Sequence, residues 1–347
     1  MKNFFKAAVL FKQNKPLKVV DLKFPKKLYR GQVLIRLISA AICGAQIGEI
    51  KGIKGRDKWL PHCMGHEGFG EVIKKHFTVK KIKAGDKVIM HWKKGSGINS
   101  NTYKYQDYNN NFINAGNVTT FQEYAVVSEN RVTKVVKFND KNIAPLLGCA
   151  IPTAWGILVK ETKFIKNESL LIFGGGGVGT TIAVLAKIIG SKDIFIVDKF
   201  KNKKNILKIF GLNFLHINEI KKIKSRKFDK VIDTTGSPKI MSIAFDKVSK
   251  EGSIVFVGQP KKNVTLKLFD PLKLFNSPSD NVKIVISDGG LFDPKLDMKK
   301  ILEIIKNNKN LFYNLATHSV SINNINHGIN LVMKGKALRV IVFFEKN

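Results

Sequence analysis

Two cysteines and a histidine in this sequence have the side-chain chemistry to hold a transition metal. Cys43 and Cys149 offer thiolates, and His66, 83 residues before Cys149, offers an imidazole nitrogen. Two sulfurs and one nitrogen leave the fourth corner of a zinc tetrahedron open, as a catalytic zinc requires. Spacing alone is weak support, because isolated cysteines are more often buried in a core than bound to metal.

A glycine-rich segment could bind the phosphates of a dinucleotide. Residues 174–179 match G-x-G-x-x-G and stand between the apolar strand SLLIF and a helical segment. Glycines permit the tight turn and the close approach of a pyrophosphate to a helix N-terminus. The candidate contacts in this segment are Gly174, Gly176, Gly177, Val178 and Gly179.

An acidic residue ends the following predicted strand, as dinucleotide binding requires. Asp198 closes IFIVD, 19 residues after Gly179. Its carboxylate can accept both ribose hydroxyls of the adenosine half and would repel a 2′-phosphate, which favours NAD over NADP. A helix N-cap is the other interpretation of Asp198. Lys203 is a further candidate cofactor contact, and it leaves NADP open together with its neighbours Lys199, Lys201 and Lys204.

The elements around these residues follow two patterns. Residues 1–90 and 121–136 are predicted to form mostly strands and turns, with a long polar loop or a small lobe over 93–120. From residue 169, strands alternate with helices, which predicts an α/β fold with a parallel sheet covered on both faces. The C-terminal part is predicted to contain an amphipathic helix over 297–309, and then a helix, a glycine turn and a closing strand over 322–344.

The high positive charge says little about function. The 347 residues include 54 Lys, 6 Arg and 29 Asn, and the net charge is +34. Proteins that bind nucleic acid specifically cluster basic residues and use Arg heavily, whereas here Lys is dispersed. Specific nucleic-acid binding is therefore not expected. With neither a targeting segment nor an apolar stretch of about 20 residues, we expect a cytoplasmic protein without a membrane segment.

Taken in order, the motifs resemble the zinc-dependent alcohol dehydrogenases of the medium-chain dehydrogenase/reductase superfamily. The resemblance runs essentially from end to end. It includes Gly335-Lys336-Ala337-Leu338-Arg339, which is similar to that family's pyrophosphate-contacting arginine segment. The other matching positions are Cys43, Gly65-His66-Glu67, Gly85-Asp86, Gly148-Cys149 and the glycine motif of 174–179.

This resemblance implies a GroES-like, mainly β catalytic domain with an inserted Rossmann doubly wound domain and the active site in the cleft between them. The expected boundaries are 1–150 plus 289–347 for the catalytic domain and 151–288 for the NAD-binding domain. The resemblance makes Cys43, His66 and Cys149 ligands of one catalytic zinc. It makes Glu67 a near-metal carboxylate that ligates zinc transiently, and Arg339 a cofactor contact. Family habit suggests a homodimer or homotetramer.

The expected activity is reversible hydride transfer between an alcohol, or its aldehyde or ketone, and NAD, with zinc as Lewis acid. Two alternatives stay open. One is a zinc-free quinone or enone reductase of the same superfamily, whose members lack the metal ligands. The other is a basic nucleic-acid-binding protein.

The sequence departs from the family pattern in two places. Residues 93–120 contain no cysteine, which excludes the family's second, structural zinc and predicts one zinc per chain. The Ser or Thr that starts the family's proton relay is replaced by Ala45, and the Asp that supports the histidine ligand is replaced by Gln46. Proton exit must then use water, a substrate or ribose hydroxyl, Glu49 or a nearby histidine. Gln46 can hydrogen-bond an imidazole N–H but supplies no charge.

For four further residues, a purely structural role is expected or stays open. Cys63 is expected to be a buried free thiol, and His62 and His91 are expected to be surface or satisfied core histidines. Trp92 is either a substrate-pocket aromatic, as the resemblance implies, or a packed residue at a strand end.

Overall fold

The chain folds as two compact units. The computed structural model describes residues 3–265 and 281–344. The first unit comprises Met1–Ala150, Asp293–Glu303 and Ala316–Asn347, and the second comprises Ile151–Phe292 and Ile304–Leu315. Within the described residues, no helix is long and apolar enough to cross a membrane.

The second unit contains a parallel sheet, as the strand–helix alternation predicts. Its strand order is β13-β12-β11-β14-β15-β16, and every neighbouring pair is parallel. The strands are β11 (Ser169–Phe173), β12 (Asp193–Asp198), β13 (Asn213–His216), β14 (Phe228–Asp233), β15 (Val248–Phe256) and β16 (Lys283–Ile286).

All five residues of β11 are buried, because a central parallel strand is covered on both faces. The strand order reverses between β11 and β14, and a ligand of such a sheet binds at that switch point beyond the carboxyl ends of the strands. The glycine-rich segment lies at this end of β11. The order 3-2-1-4-5-6 is that of the doubly wound dinucleotide-binding fold, so the predicted Rossmann fold is confirmed.

The first unit is built on two mainly antiparallel sheets. One has the order β2-β1-β4-β8-β7, and the other has the order β10-β6-β5-β3-β18-β17, with β9 also paired to β3. Their strands are β1 (Phe4–Leu10), β2 (Lys18–Lys23), β3 (Gln32–Ile42), β4 (His62–Cys63), β5 (Gly68–Lys75), β6 (Lys87–Met90), β7 (Lys104–Gln106), β8 (Phe112–Asn114), β9 (Tyr124–Ser128), β10 (Val132–Lys134), β17 (Ala316–Ser321) and β18 (Arg339–Phe343).

Strand β3 is the centre of the larger sheet and ends at the predicted metal site. It pairs antiparallel with β5, β9 and β18. Its side chains Val33, Ile35 and Leu37 enter the main core of the unit. Because β18 lies between β3 and β17, the C-terminal strand is an inner strand of the sheet from which Cys43 emerges.

The helices within the described residues are mostly short. They are α1 (Gly44–Ile50), α2 (Ala150–Trp155), α3 (Gly177–Ile189), α4 (Lys203–Lys208), α5 (Pro238–Phe245), α6 (Met298–Asn307), α7 (Lys309–Tyr313) and α8 (Ile325–Met333). Helix α2 continues into a π-helical turn, Gly156–Glu161. Gly190 ends α3 in the left-handed region, with φ of 103°, as its position after the predicted helix indicates.

Residues 93–120, for which the sequence predicts a long loop or a small lobe, contain regular secondary structure. Strands β7 and β8 form a short antiparallel hairpin there. Tyr105 and Ile113, its two inward-facing residues, are 1% and 0% exposed and join a second core cluster. The hairpin was not predicted because each strand is three residues long and carries one buried side chain.

Candidate functional site

The three predicted metal ligands converge in the first unit. One ligand atom each from Cys43, His66 and Cys149 lies within 4.8 Å of the other two. Cys43 and Cys149 are 5% and 9% exposed. Three separate stretches of chain thus bring two sulfurs and an imidazole together, although His66 and Cys149 are 83 positions apart in the sequence.

Cys43 and Cys149 are positioned by the ends of secondary-structure elements. Cys43 follows β3 and caps the N-terminus of α1. Cys149 lies between the 3₁₀ turn Ala144–Gly148 and α2. Gly148 permits this approach, since a Cβ there would overlap the carbonyl oxygen of Met90 and lie 2.8 Å from the Cα of Glu67.

His66 lies in the short connection between β4 and β5, and a second glycine sets its position. Gly65 has a φ of 92°, and a Cβ there would lie 2.8 Å from the backbone nitrogen of Phe121. Only glycine combines that backbone angle with so close a neighbour. The role of Gly65 and Gly148 as close-packing residues was not predicted, although both belong to the motifs Gly-His-Glu and Gly-Cys.

The cluster has the properties of a metal site. A hydrogen bond from the Cys149 thiol lowers the pKa of Cys43 well below its ordinary value. Burial opposes this shift, whereas the neighbouring His66 and the charge of Arg339 lower the pKa further. The Nε2 atom of His66 is buried and has no hydrogen-bond partner among the described residues. Since zinc prefers thiolates and an imidazole nitrogen, these donors fit that ion.

Gln46 connects two members of the cluster. Its side chain is 1% exposed. Its Oε1 accepts a hydrogen bond from the backbone N–H of Cys43 at 2.8 Å, and its Nε2 lies against Nδ1 of His66. The contact with the imidazole is therefore present, but the amide turns its NH₂ group towards the ring, and not the oxygen that the predicted hydrogen bond from an imidazole N–H requires. The contact with the Cys43 backbone was not predicted.

Glu67 and Arg339 form a buried ion pair in the first unit. The side chains are 0% and 1% exposed, and a terminal nitrogen of Arg339 contacts Oε1 of Glu67. Oε2 of Glu67 and Nε of Arg339 have no partner among the described residues. This geometry ties the near-metal carboxylate to the C-terminal strand. The metal contact of Glu67 and the pyrophosphate contact of Arg339 stay predictions.

The glycine-rich segment forms the turn between β11 and α3 in the second unit. Gly174 has a φ of 103°, and Gly176 is the N-cap of α3, which begins at Gly177 and continues through Val178. A Cβ on Gly179 would overlap the carbonyl oxygen of Gly174, whereas a Cβ on Gly176 would meet no described atom within 4 Å. The open space beside Gly176, at a helix N-terminus, fits a pyrophosphate.

Asp198 stands beside this turn at the end of β12. Its Oδ2 accepts the N–H of Gly175 at 2.7 Å, and its Oδ1 accepts the N–H of Phe200 at 2.8 Å. Each carboxylate oxygen retains a further lone pair for a ribose hydroxyl. Lys203, 2% exposed, begins α4, and burial lowers its pKa while the charge of Asp198 opposes that shift. The residues present thus fit the NAD that the sequence predicts.

Cys63 and His91 are core residues, as predicted. Cys63 is free and 1% exposed, and burial raises the pKa of its thiol. His91 is fully buried; its Nδ1 lies 2.7 Å from the carbonyl oxygen of Lys93, and its Nε2 lies 3.0 Å from Oγ1 of Thr133. Burial lowers the pKa of His91 to about 4.

His62 has polar partners on both ring nitrogens. Its Nδ1 lies 2.8 Å from the carbonyl oxygen of Cys63, and its Nε2 lies 2.8 Å from Oδ2 of Asp57 and 3.8 Å from Oε1 of Glu49. His62 is thus a satisfied histidine, as predicted, although its two acidic neighbours were not. Trp92 is half-buried, with the Lys93 ammonium over its ring, and its substrate role stays a prediction.

Two family models match the chain. The alcohol dehydrogenase GroES-like domain matches residues 29–137, which include Cys43 and His66. The zinc-binding dehydrogenase model matches residues 177–307, from the start of α3 onwards.

Whole-length relatives and solved structures agree with these matches. Alcohol dehydrogenase 1 of Trifolium repens is 24% identical over 98% of this chain and 97% of its own length. Alcohol dehydrogenase 6 of Peromyscus maniculatus is 27% identical over 97% of both chains. The benzyl alcohol dehydrogenase of Acinetobacter calcoaceticus shares the fold, with a TM-score of 0.84, 23% identity and coverage of 99% of this chain and 100% of that one.

Proposed function

The chain belongs to the zinc-binding dehydrogenases that have an alcohol dehydrogenase GroES-like domain, and from that membership we propose that it transfers a hydride reversibly between an alcohol and NAD. The protein is an oxidoreductase with a small-molecule alcohol or carbonyl substrate. The main supporting observation is the convergence of the donor atoms of Cys43, His66 and Cys149 within 4.8 Å. A zinc-free quinone or enone reductase would have no use for such a set.

In this mechanism the chain binds its two cofactors and orients the reacting groups. Cys43, His66 and Cys149 would hold one zinc ion, and Gly174–Gly179 with Asp198 would hold NAD. When bound, zinc supplies a Lewis acid for the substrate oxygen, and NAD accepts or donates the hydride. Both thiols are nearly excluded from water, which strengthens their electrostatic effect on whatever they bind.

The proton must leave without a side-chain hydroxyl at position 45. Ala45 can neither accept nor donate a proton. Glu49 is a candidate for the exit, because it lies on the helix that begins after Cys43 and its side chain is 46% exposed. Its carboxylate lies 3.8 Å from Nε2 of His62, so the two groups could share a proton.

We further propose the domain division 1–150 plus 289–347 and 151–288, a cytoplasmic location and a homodimer or homotetramer. The boundary of the two compact units at residue 150 supports the first of these boundaries, whereas residues 304–315, which the division gives to the catalytic domain, belong to the second compact unit. None of the three cysteines, all of which the structure describes, forms a disulfide, as expected in a reducing compartment. Light scattering of the purified protein measures the number of subunits.

The test is metal content together with NAD(H) turnover on a panel of alcohols, polyols and aldehydes. We expect one zinc per chain and zinc-dependent turnover. The Cys149→Ala variant should lose both. The matched control, Cys63→Ala, removes the buried thiol outside the cluster and should retain both. Two tightly held zincs per chain, or quinone reduction by metal-free protein without alcohol oxidation, would contradict the proposal.

A further inference from the structure

Gln46 contacts the backbone of one predicted metal ligand and the ring of another. Its amide has one accepting end and one donating end, so the two contacts differ in hydrogen-bond direction. The side chain is buried at 1% exposure. On one side its Oε1 accepts the Cys43 N–H at 2.8 Å, and on the other its Nε2 lies against Nδ1 of His66. The two contacts join the first and second ligand segments.

The orientation of this amide follows from its neighbours. A backbone N–H can only donate, so the oxygen of Gln46 must face Cys43. The NH₂ group, which also only donates, must then face Nδ1 of His66. A neutral imidazole that accepts at Nδ1 carries its proton on Nε2. Nε2 is the buried ring nitrogen without a partner among the described residues.

A metal bound through Nε2 requires the opposite tautomer. Nε2 must then present its lone pair and Nδ1 must carry the proton, which would point at the NH₂ group of Gln46. Two donors would face each other, or the amide would rotate and leave the Cys43 N–H facing another donor. A carboxylate in the same place would accept from both groups, because it has no donor.

We propose that Gln46 lowers the zinc affinity of this chain by holding His66 in the tautomer that is protonated on Nε2. The inference rests on the proposed function, since it concerns the same site. Gln46 is a positioning residue, because its effect reaches the metal only through His66. Mutation of the hydrogen-bond partner of a metal-binding histidine typically lowers metal affinity about 10- to 100-fold. An acceptor at position 46 that matches a ring protonated on Nδ1 should therefore raise the zinc affinity by about the same factor.

The test compares zinc dissociation constants of full-length variants by competition with a chromophoric chelator. Gln46→Glu has the same length as glutamine and should lower the Kd about 10- to 100-fold. Gln46→Met has a similar shape but removes both hydrogen-bonding groups. It should also lower the Kd, but less than Gln46→Glu, because it releases His66 from the Nε2-protonated tautomer without supplying an acceptor for Nδ1. An unchanged Kd in Gln46→Met would show that Gln46 does not lower the affinity. The comparison of the two variants separates the effect of a matched acceptor on zinc affinity from the effect of removing the amide.

A second readout separates the tautomer from the added negative charge. In the metal-free protein at mildly alkaline pH, ¹⁵N-edited spectra of the His66 ring should show the proton on Nε2, and on Nδ1 in Gln46→Glu. The signals are assigned by their loss in His66→Asn. A natural protein with the proton on Nδ1, or equal zinc affinities in the natural protein and Gln46→Glu, would overturn the inference while leaving the proposed function intact. Absence of zinc binding in every variant would overturn both.

Discussion

Ala45 occupies the position at which a hydroxyl would be most useful to the proposed reaction. It lies two residues after Cys43, is exposed and belongs to the first turn of α1. A hydroxyl there could pass a proton between the reacting alcohol and solvent. The methyl group of Ala45 cannot, so proton exit depends on water or on a more distant group such as Glu49.

Ala45→Thr should therefore increase the rate of alcohol oxidation at neutral pH by about tenfold or more, because positioned proton transfer contributes 10²- to 10⁴-fold in enzymes. Ala45→Val is the matched control, since valine has the shape of threonine with a methyl group in place of the hydroxyl. Steady-state kcat for both variants checks the expectation. An equal loss of activity in both would show instead that the small side chain makes room for substrate.

At the scale of elements, the turn between β11 and α3 contains two glycines with different functions. Gly179 permits helix and strand to pack closely, because a Cβ would overlap the carbonyl oxygen of Gly174. Gly176 has an ordinary φ of −81° and faces open space. Gly179 is thus required by the fold, and Gly176 by the ligand that approaches the helix N-terminus.

The two alanine variants should separate these functions. Gly179→Ala should lose about 1–3 kcal/mol of unfolding free energy through overpacking, and it should bind NAD poorly. Gly176→Ala should change stability by no more than about 1 kcal/mol but weaken NAD binding at least about tenfold, because its methyl group would occupy the space for the pyrophosphate. Denaturation and NADH fluorescence titration measure both effects. Undiminished NAD binding by Gly176→Ala would place the cofactor elsewhere.

At the scale of the whole molecule, one ion pair joins two distant parts of the first unit's sequence. Glu67 and Arg339 are 272 residues apart and almost completely buried. The pair connects the segment after His66 to β18, which lies between β3 and β17 in the larger sheet. Removing one partner leaves a buried charge without compensation, which costs more than the pair itself contributes.

Glu67→Leu should therefore lower the unfolding free energy of the zinc-free protein by about 3–5 kcal/mol. The double variant Glu67→Leu, Arg339→Leu should recover much of that loss, because apolar side chains replace both charges. Urea denaturation of both proteins gives the comparison. A double variant less stable than Glu67→Leu would show that Arg339 stabilises the fold through contacts other than this pair.

The fold of the second unit can be predicted from local pattern. Apolar strands, helices and a glycine turn alternate at short range, and right-handed connections allow few arrangements of such units. The first unit is harder to predict, because β7 and β8 are three residues each, and β17 becomes a strand only by pairing with β18. Contacts between distant segments, and not local preference, determine those strands.

Residue types and motif order alone determined the candidate ligands Cys43, His66 and Cys149, the glycine turn with Asp198, and the single-zinc expectation from the lack of cysteines in 93–120. Only the tertiary structure decided that the three ligand atoms meet, that Glu67 pairs with Arg339, and that Gln46 contacts a backbone N–H as well as a ring. The physical reason is that the chemical properties of a site belong to single side chains, and the sequence states which side chains are present. Hydrogen-bond direction and burial depend on which distant groups become neighbours when the chain folds.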